Sequence, residues 1–218
     1  MEGLVYKVQS YKESSKLLFV YTPKGKVTLV AKGAQKLNTK VRVIAQYLTK
    51  LSFKEVENKN FYTLMEPQLL DEYLVIKNQY QKTKQAALIL EIIDRLIIDQ
   101  INHQIIYDEA IKALKEKDLK IASLSFALKV LNPLGYQIDF TTNGKTILGI
   151  SIEKGGLVFE GEPYRIDLST KNAILLLKLY TMDYNEQKQY DLEQVETVNQ
   201  FIKLYYEYHL NIKLKNFD

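Results

Sequence analysis

The 218-residue chain contains no cysteine and no tryptophan, and its only histidines are His103 and His209. Without thiols it can form no disulfide, no iron–sulfur cluster, no cysteine-bearing zinc site and no thiol nucleophile. Neither histidine has a second histidine or a carboxylate at ligand spacing on its helix face, so both are expected at the surface or core edge. Long apolar runs are also missing. The longest, around Leu88–Ile98 and Ala173–Leu177, fall well short of the roughly 20 residues of a membrane span. The opening residues do not read as a signal peptide, so a soluble, cytoplasmic protein is expected.

The usual motifs of chemistry are absent as well. GxGxxG, GxSxG and HExxH do not occur. Asn143-Gly-Lys-Thr146 ends like a phosphate-binding loop, but the position of its first glycine holds Asp139, whose charge would repel phosphate. A hairpin turn is the better reading. Asp71 and Glu72 are adjacent and do not face each other on a helix. No nucleophile–base pair can be nominated, and a non-enzymatic protein without a cofactor is expected.

What the chain does have is a core and a lopsided charge. Hydrophobic residues make up 46% of it, enough to fold, and 16 tyrosines supply aromatic surface. Residues 1–60 carry twelve Lys and Arg against Glu2, Glu13, Glu55 and Glu57, a balance of +8. The whole chain is only +4, which leaves −4 for the rest. A basic front on a mildly acidic body suggests a polyanionic partner for the first domain.

That front reads as short strands: Leu4–Gln9, Lys16–Thr22 and Lys26–Ala31, then Tyr47–Val56 and Asn60–Glu66. Pro23-Lys-Gly25 predicts a hairpin between the second and third, and Glu57–Asn60 a turn between the last two. Gly33–Arg42 reads as an exposed loop. Five strands around a long loop fit an OB-type barrel, and an SH3-like barrel fits the pattern too. After Pro67 the period changes. Helices are predicted around Leu88–Ile97, Tyr107–Glu116, Leu119–Leu131, Thr170–Met182 and Leu192–Leu210, with Ser169 and Asp191 as N-caps of the last two. Glycine-rich small hairpins fill Tyr136–Leu168. The expected fold class is α+β: an OB-type barrel over 1–78, a helical domain over 79–218, and an insertion at 137–168.

The strongest positive signal is the run Thr22–Arg42. It places Lys24, Lys26, Lys32, Lys36, Lys40 and Arg42 along a hairpin and its loop with no acidic residue among them. Lysine suits phosphate as a mobile point charge. Tyr6, Tyr11, Phe19, Tyr21, Tyr47 and Phe53 could offer stacking faces where they point outward, although strands of a small barrel bury half their side chains.

Several segments also resemble a known family. Gly3-Leu-Val, Tyr11-Lys-Glu-Ser-Ser-Lys-Leu-Leu, Thr22-Pro-Lys-Gly-Lys and Val30-Ala-Lys-Gly-Ala-Gln-Lys are similar to the opening of the bacterial recombination mediators called RecO. Phe126-Ala-Leu-Lys-Val-Leu-Asn-Pro-Leu-Gly-Tyr136, Gly155-Gly156 and Tyr205-Tyr-Glu-Tyr-His-Leu with Lys213-Leu-Lys continue the likeness in order. The resemblance implies an OB-fold and a helical domain bearing a zinc-finger-like element. It implies binding of single- and double-stranded DNA, annealing of complementary strands, and loading of RecA onto DNA coated by single-strand binding protein. Implied partners are RecR, often RecF, and the acidic C-terminal tail of single-strand binding protein; a nucleoid-associated location in the cytoplasm follows. Many members carry two cysteine pairs in the finger. Here the matching positions hold Phe140, Asn143, Phe159 and Glu162, so no metal is expected, and the two phenylalanines are expected to form an apolar cluster instead.

Two other readings fit the residues. One is an adaptor that recruits RecR and the binding-protein tail with little DNA affinity, using scattered cations such as Arg95, Lys112, Lys115 and Lys129. The other is an RNA-binding barrel, which leaves the helical remainder unexplained.

Overall fold

The structure, a computed structural model, describes residues 1–55, 61–184 and 190–217. The chain separates into two compact units, Met1–Glu109 and Ala110–Asp218. The Glu57–Asn60 turn expected from the sequence lies outside the described residues.

The first unit opens with three antiparallel strands, β1 (Glu2–Tyr11), β2 (Ser15–Thr22) and β3 (Gly25–Ala31). The turn at Pro23-Lys24 is the expected one: Gly25 takes φ +122°, and Thr22 Oγ1 donates to Gly25 O at 2.8 Å. Next come a short helix, α1 (Lys40–Ile44), and strands β4 (Thr49–Ser52), β5 (Phe61–Thr63) and β6 (Gln68–Asp71). The sheet order is β5-β3-β2-β1-β4-β6. β1 therefore pairs with both β2 and β4, while β5 runs parallel to β3. This is the connectivity of a Greek-key barrel of the OB type. Lys54 N donates to Met65 O at 3.0 Å, which brings the chain after β4 to the chain after β5.

The barrel interior is filled by alternate strand residues, among them Val5, Leu18, Val20, Leu29, Leu51, Phe53 and Tyr62. Ile44 and Ala45 join them from α1 and its C-cap. That burial is why the end of the expected loop winds into a helix. The sixth strand was not expected, for a physical reason: Leu69 and Leu70 are both exposed, so Gln68–Asp71 has no alternation to betray it. Beyond it lie α2 (Leu74–Lys77), α3 (Tyr80–Leu96) and α4 (His103–Leu114), the last crossing from one unit to the next. Asp71 Oδ1 accepts from Tyr73 N at 2.7 Å, so the acidic pair shapes a turn.

In the second unit α5 (Leu119–Val130) is buried on nearly every side, as expected for a central helix. Its polar positions are satisfied: Ser125 Oγ donates to Leu179 O at 2.7 Å, and Tyr206 OH donates to Ala127 O at 2.6 Å. α6 (Thr170–Thr181) and α7 (Leu192–Leu210) pack with it. Asp191 caps α7 by accepting from Gln194 N at 2.9 Å. Ser169 occupies the N-cap of α6 without a side-chain capping bond. The glycine-rich insertion forms a small sheet, β8-β7-β9, from β7 (Ile147–Ser151), β8 (Gly156–Phe159) and β9 (Leu168–Ser169).

The β1–β2 pair leaves no room at Gly3, where a Cβ would lie 2.3 Å from Val20 Cγ1 and 3.1 Å from Tyr21 O. Gly3→Ala is expected to destabilise the first unit by about 1–3 kcal/mol through overpacking, measured as a lower midpoint in a urea melt.

Candidate nucleic-acid interface

The hairpin register decides where the cations go. Lys16 pairs with Ala31 and Tyr11 with Ser15, so the β1–β2 turn and the end of β3 share one end of the sheet. The segment after β3 is braced against that turn. Gln35 Nε2 donates to Ser15 O at 2.6 Å and to Lys12 O at 3.3 Å, and Gln35 N donates to Ser14 O at 3.0 Å. Thr39 Oγ1 donates to Gly33 O at 2.9 Å and closes the loop on itself.

On this braced segment Lys32, Lys36, Lys40 and Arg42 are all exposed. Among the described residues none of the four has a carboxylate within ion-pair distance. Lys12, across the turn, is exposed too, with Nζ 5.3 Å from the Tyr11 ring centroid. The sequence reading missed Lys12; the signal was its place in the turn preceding Lys16, at the same end as Ala31. Lys16 itself is half-buried and donates to Ala45 O at 3.1 Å, holding the end of α1.

Lys24 and Lys26 sit elsewhere. They flank the β2–β3 turn, so the length of β3, about 20 Å at a strand's rise, separates Lys26 from Lys32. Lys24 Nζ pairs with Glu55 at 2.8 Å, but both side chains are well exposed and such pairs are weak. Lys26 is half-buried. Its Nζ donates to Asp94 O at 2.9 Å, at the end of α3, and lies 5.6 Å from the Tyr6 ring. Desolvation pushes its pKa down, opposed by the carboxylates of Asp94 and Asp99. The six cations named from the sequence therefore form two groups rather than one ridge: a free set at the β3–α1 end and an engaged pair at the other.

Other basic residues of the barrel are neutralised locally. Lys7 pairs with Asp94 at 3.1 Å, Lys50 with Glu2 at 2.7 Å, and Lys54 with Glu66 at 3.2 Å. The aromatics divide as well. Tyr21 and Phe53 are in the core, and Tyr6 and Phe19 pack on each other at 6.3 Å beneath Lys26 and Lys7. Tyr11 stays half-buried and Tyr47 exposed. His103 rests edge-on against Tyr21, and the His209 ring lies 4.2 Å from that of Tyr205, with Nε2 donating to Ile152 O at 2.6 Å. Both histidines are packed side chains, as expected.

The insertion offers no thiolate and no metal-binding donor set at the four finger positions. Phe159 is buried, whereas Phe140 packs on Tyr180 at 5.7 Å, so each ring has its own neighbour instead of the expected shared cluster. Asn143 Oδ1 accepts from Lys145 N at 3.1 Å in a turn where Gly144 has φ +82°. Glu162 Oε2 accepts from Lys154 Nζ and from Phe159 N at 3.1 Å, while Lys154 lies over the Phe159 ring at 5.0 Å. An ion pair stands where a metal would cross-link the loops. The residues present do not fit zinc.

Comparison with known proteins covers both units. A family model described as "Recombination protein O N terminal" matches residues 1–73, and one described as "Recombination protein O C terminal" matches residues 78–217. The chain is 25% identical over 232 residues to the "DNA repair protein RecO" of Bacillus subtilis (strain 168), covering 99% of this chain and 91% of that protein. It is 25% identical over 234 residues to the protein of the same name from Listeria monocytogenes serotype 4b (strain F2365), with the same coverage. The Clostridium perfringens protein of that name is 30% identical over 144 residues, 63% of this chain and 58% of its own length.

The Lys154–Glu162 pair has a pH signature. The hydrogen bond from Lys154, then that from Phe159 N, holds the Glu162 carboxyl below the ordinary glutamate value. Its contribution to the insertion is therefore complete above about pH 4.3 and is lost as pH falls through the lower, folded-state value. The Phe159 amide resonance is expected to titrate on this acid limb in the parent chain and to stay still in Glu162→Gln.

Proposed function

Because the chain belongs to the recombination protein O family, whose models match both its halves, we propose that it is a recombination mediator that binds single- and double-stranded DNA and anneals complementary strands in DNA repair. The observation that carries this reading is the gathering of Lys32, Lys36, Lys40 and Arg42, exposed and without carboxylate partners among the described residues, at one end of an OB-type sheet. Residues 1–78 act as the DNA-binding domain and 79–218 as the helical domain that carries the insertion.

The mechanism follows from charge. Cations that neutralise phosphates on two strands release condensed counterions and lower the repulsion between the strands, raising the local concentration of complementary sequence. Lys24 contributes by exchanging Glu55 for phosphate, an exchange that costs little at an exposed site. Lys26, half-buried and bonded to the end of α3, supports the sheet more than the strand. No chemical turnover and no cofactor are needed. The family supports the finer assignments too: RecA loaded onto DNA coated by single-strand binding protein, with RecR, often RecF, and that protein's tail as partners, in the cytoplasm on the nucleoid. Among the described residues no helix is long and apolar enough to cross a membrane. The adaptor reading draws less support. Lys129 donates to Met182 O at 2.8 Å and lies over the Tyr184 ring, so it is engaged within its own unit, whereas Arg95 stands beside Glu91 at 3.4 Å in a weak i,i+4 pair.

Replacing Lys32, Lys36 and Lys40 together by Glu is expected to weaken binding of a single-stranded oligonucleotide by roughly 100-fold or more and to flatten the plot of log K against log salt by about 2. Annealing of complementary oligonucleotides, followed by fluorescence with and without single-strand binding protein, should slow in parallel. An unchanged affinity would remove the basic end as the DNA site.

A further inference from the structure

The tip of the β3–α1 segment carries a side chain that the core does not use. Leu37 is 78% exposed, between the exposed Lys36 and Asn38 and one turn before Lys40. The backbone around it is fixed: Lys36 N donates to Gly33 O at 3.0 Å, and Thr39 Oγ1 donates to both Gly33 O and Lys36 O. Leu37 is thus held out on a braced turn. One exposed leucine is ordinary by itself; what sets Leu37 apart is its place at the tip of a hydrogen-bonded turn among four exposed cations.

The neighbours say what that partner must be. Lys32, Lys36, Lys40 and Arg42 demand an anion, and Leu37 demands an apolar layer within a side chain's reach of it. A nucleic-acid strand presents both, with phosphates outside and flat base faces between them. In duplex DNA, apolar wedges such as leucine, flanked by cations, enter base steps and unstack them, and the bases of a held single strand offer the same faces. An anionic bilayer shares the charge, but interfacial binding grows with the apolar area of an amphipathic face, and one leucine on an irregular turn supplies little.

We propose that Leu37 enters between adjacent bases of the strand held by Lys32, Lys36 and Lys40 and unstacks them. This rests on the reading of the basic end as a DNA site and adds a role for an apolar residue within it. Unstacked bases turn their pairing edges to an incoming complement, which suits annealing.

The test uses the full chain and an oligonucleotide with 2-aminopurine inside a run of adenines. Binding of the parent chain should raise the probe's fluorescence roughly twofold or more as it unstacks. Leu37→Met should keep the rise, and Leu37→Ser should lose it. Leu37→Ser should still bind, measured by anisotropy, with a smaller loss of affinity than the Lys32, Lys36 and Lys40 triple replacement by Glu, because the phosphate contacts remain. A Leu37→Ser protein that binds and still raises the signal overturns the proposal. So does a Leu37-dependent affinity for phosphatidylglycerol vesicles combined with an unaltered oligonucleotide signal. Absence of binding by all three proteins would show in the anisotropy alone and would mean that the DNA reading itself had failed, taking the wedge with it.

Discussion

β1 holds two partners at once. Residues Leu4 to Tyr11 pair with β2, and Glu2 to Val5 pair with β4 on the other edge. Between Val5 and Lys7 the register slips at a bulge, which tightens the local twist and lets one strand serve both sides of a curled sheet. The antiparallel run β1-β2-β3 then fixes which turns meet. Because Ser15 and Ala31 reach the same end, Gln35 can bridge from one connection to the other with three hydrogen bonds. The placement of Lys32 and Lys36 beside Lys12 follows from that pairing.

Charge placement within the barrel has a simple logic. Lysines whose neighbours are carboxylates or helix ends, such as Lys7, Lys16, Lys26 and Lys50, help hold elements together and present little unbalanced field. The residues from Lys32 to Arg42 include no acid. At this end the exposed Lys12, Lys32, Lys36, Lys40 and Arg42 outnumber the exposed Glu13 of the β1–β2 turn, which leaves a net positive field. In the insertion the opposite arrangement holds: Lys154 and Glu162 satisfy each other, and together with the buried Phe159 they tie β8 to the following turn.

Much of this was legible in the sequence. Strand alternation, the Pro23–Gly25 turn and the 3.6-residue periods located β1 to β3 and α4 to α7 within a few residues, but α3 begins at Tyr80, eight residues before the expected Leu88, because its first turns are polar and largely exposed. The elements that escaped lack a buried face that repeats. β6 exposes both of its leucines, and α2 and α1 are each about one turn long, so packing rather than pattern creates them. The composition of the basic segment was readable, but its division was not. Lys26 and Lys32 lie in one acid-free run, and only the length of β3 and the approach of α3 separate an engaged lysine from free ones. Lys12 and Leu37 needed the register and the loop's bracing to acquire meaning.

The barrel is stitched unevenly. β1, β2 and β3 share long ladders, but among the described residues the chain after β4 meets the chain after β5 through one backbone bond, from Lys54 to Met65. Phe53 and Tyr62 face each other beside it at 6.3 Å. Cooperative opening starts where ladders are shortest, and β5 runs parallel to β3 with Thr63 opposite Val30, so thermal breathing along this seam should wet an aromatic pair at the same end of β3 that leads into the cationic segment.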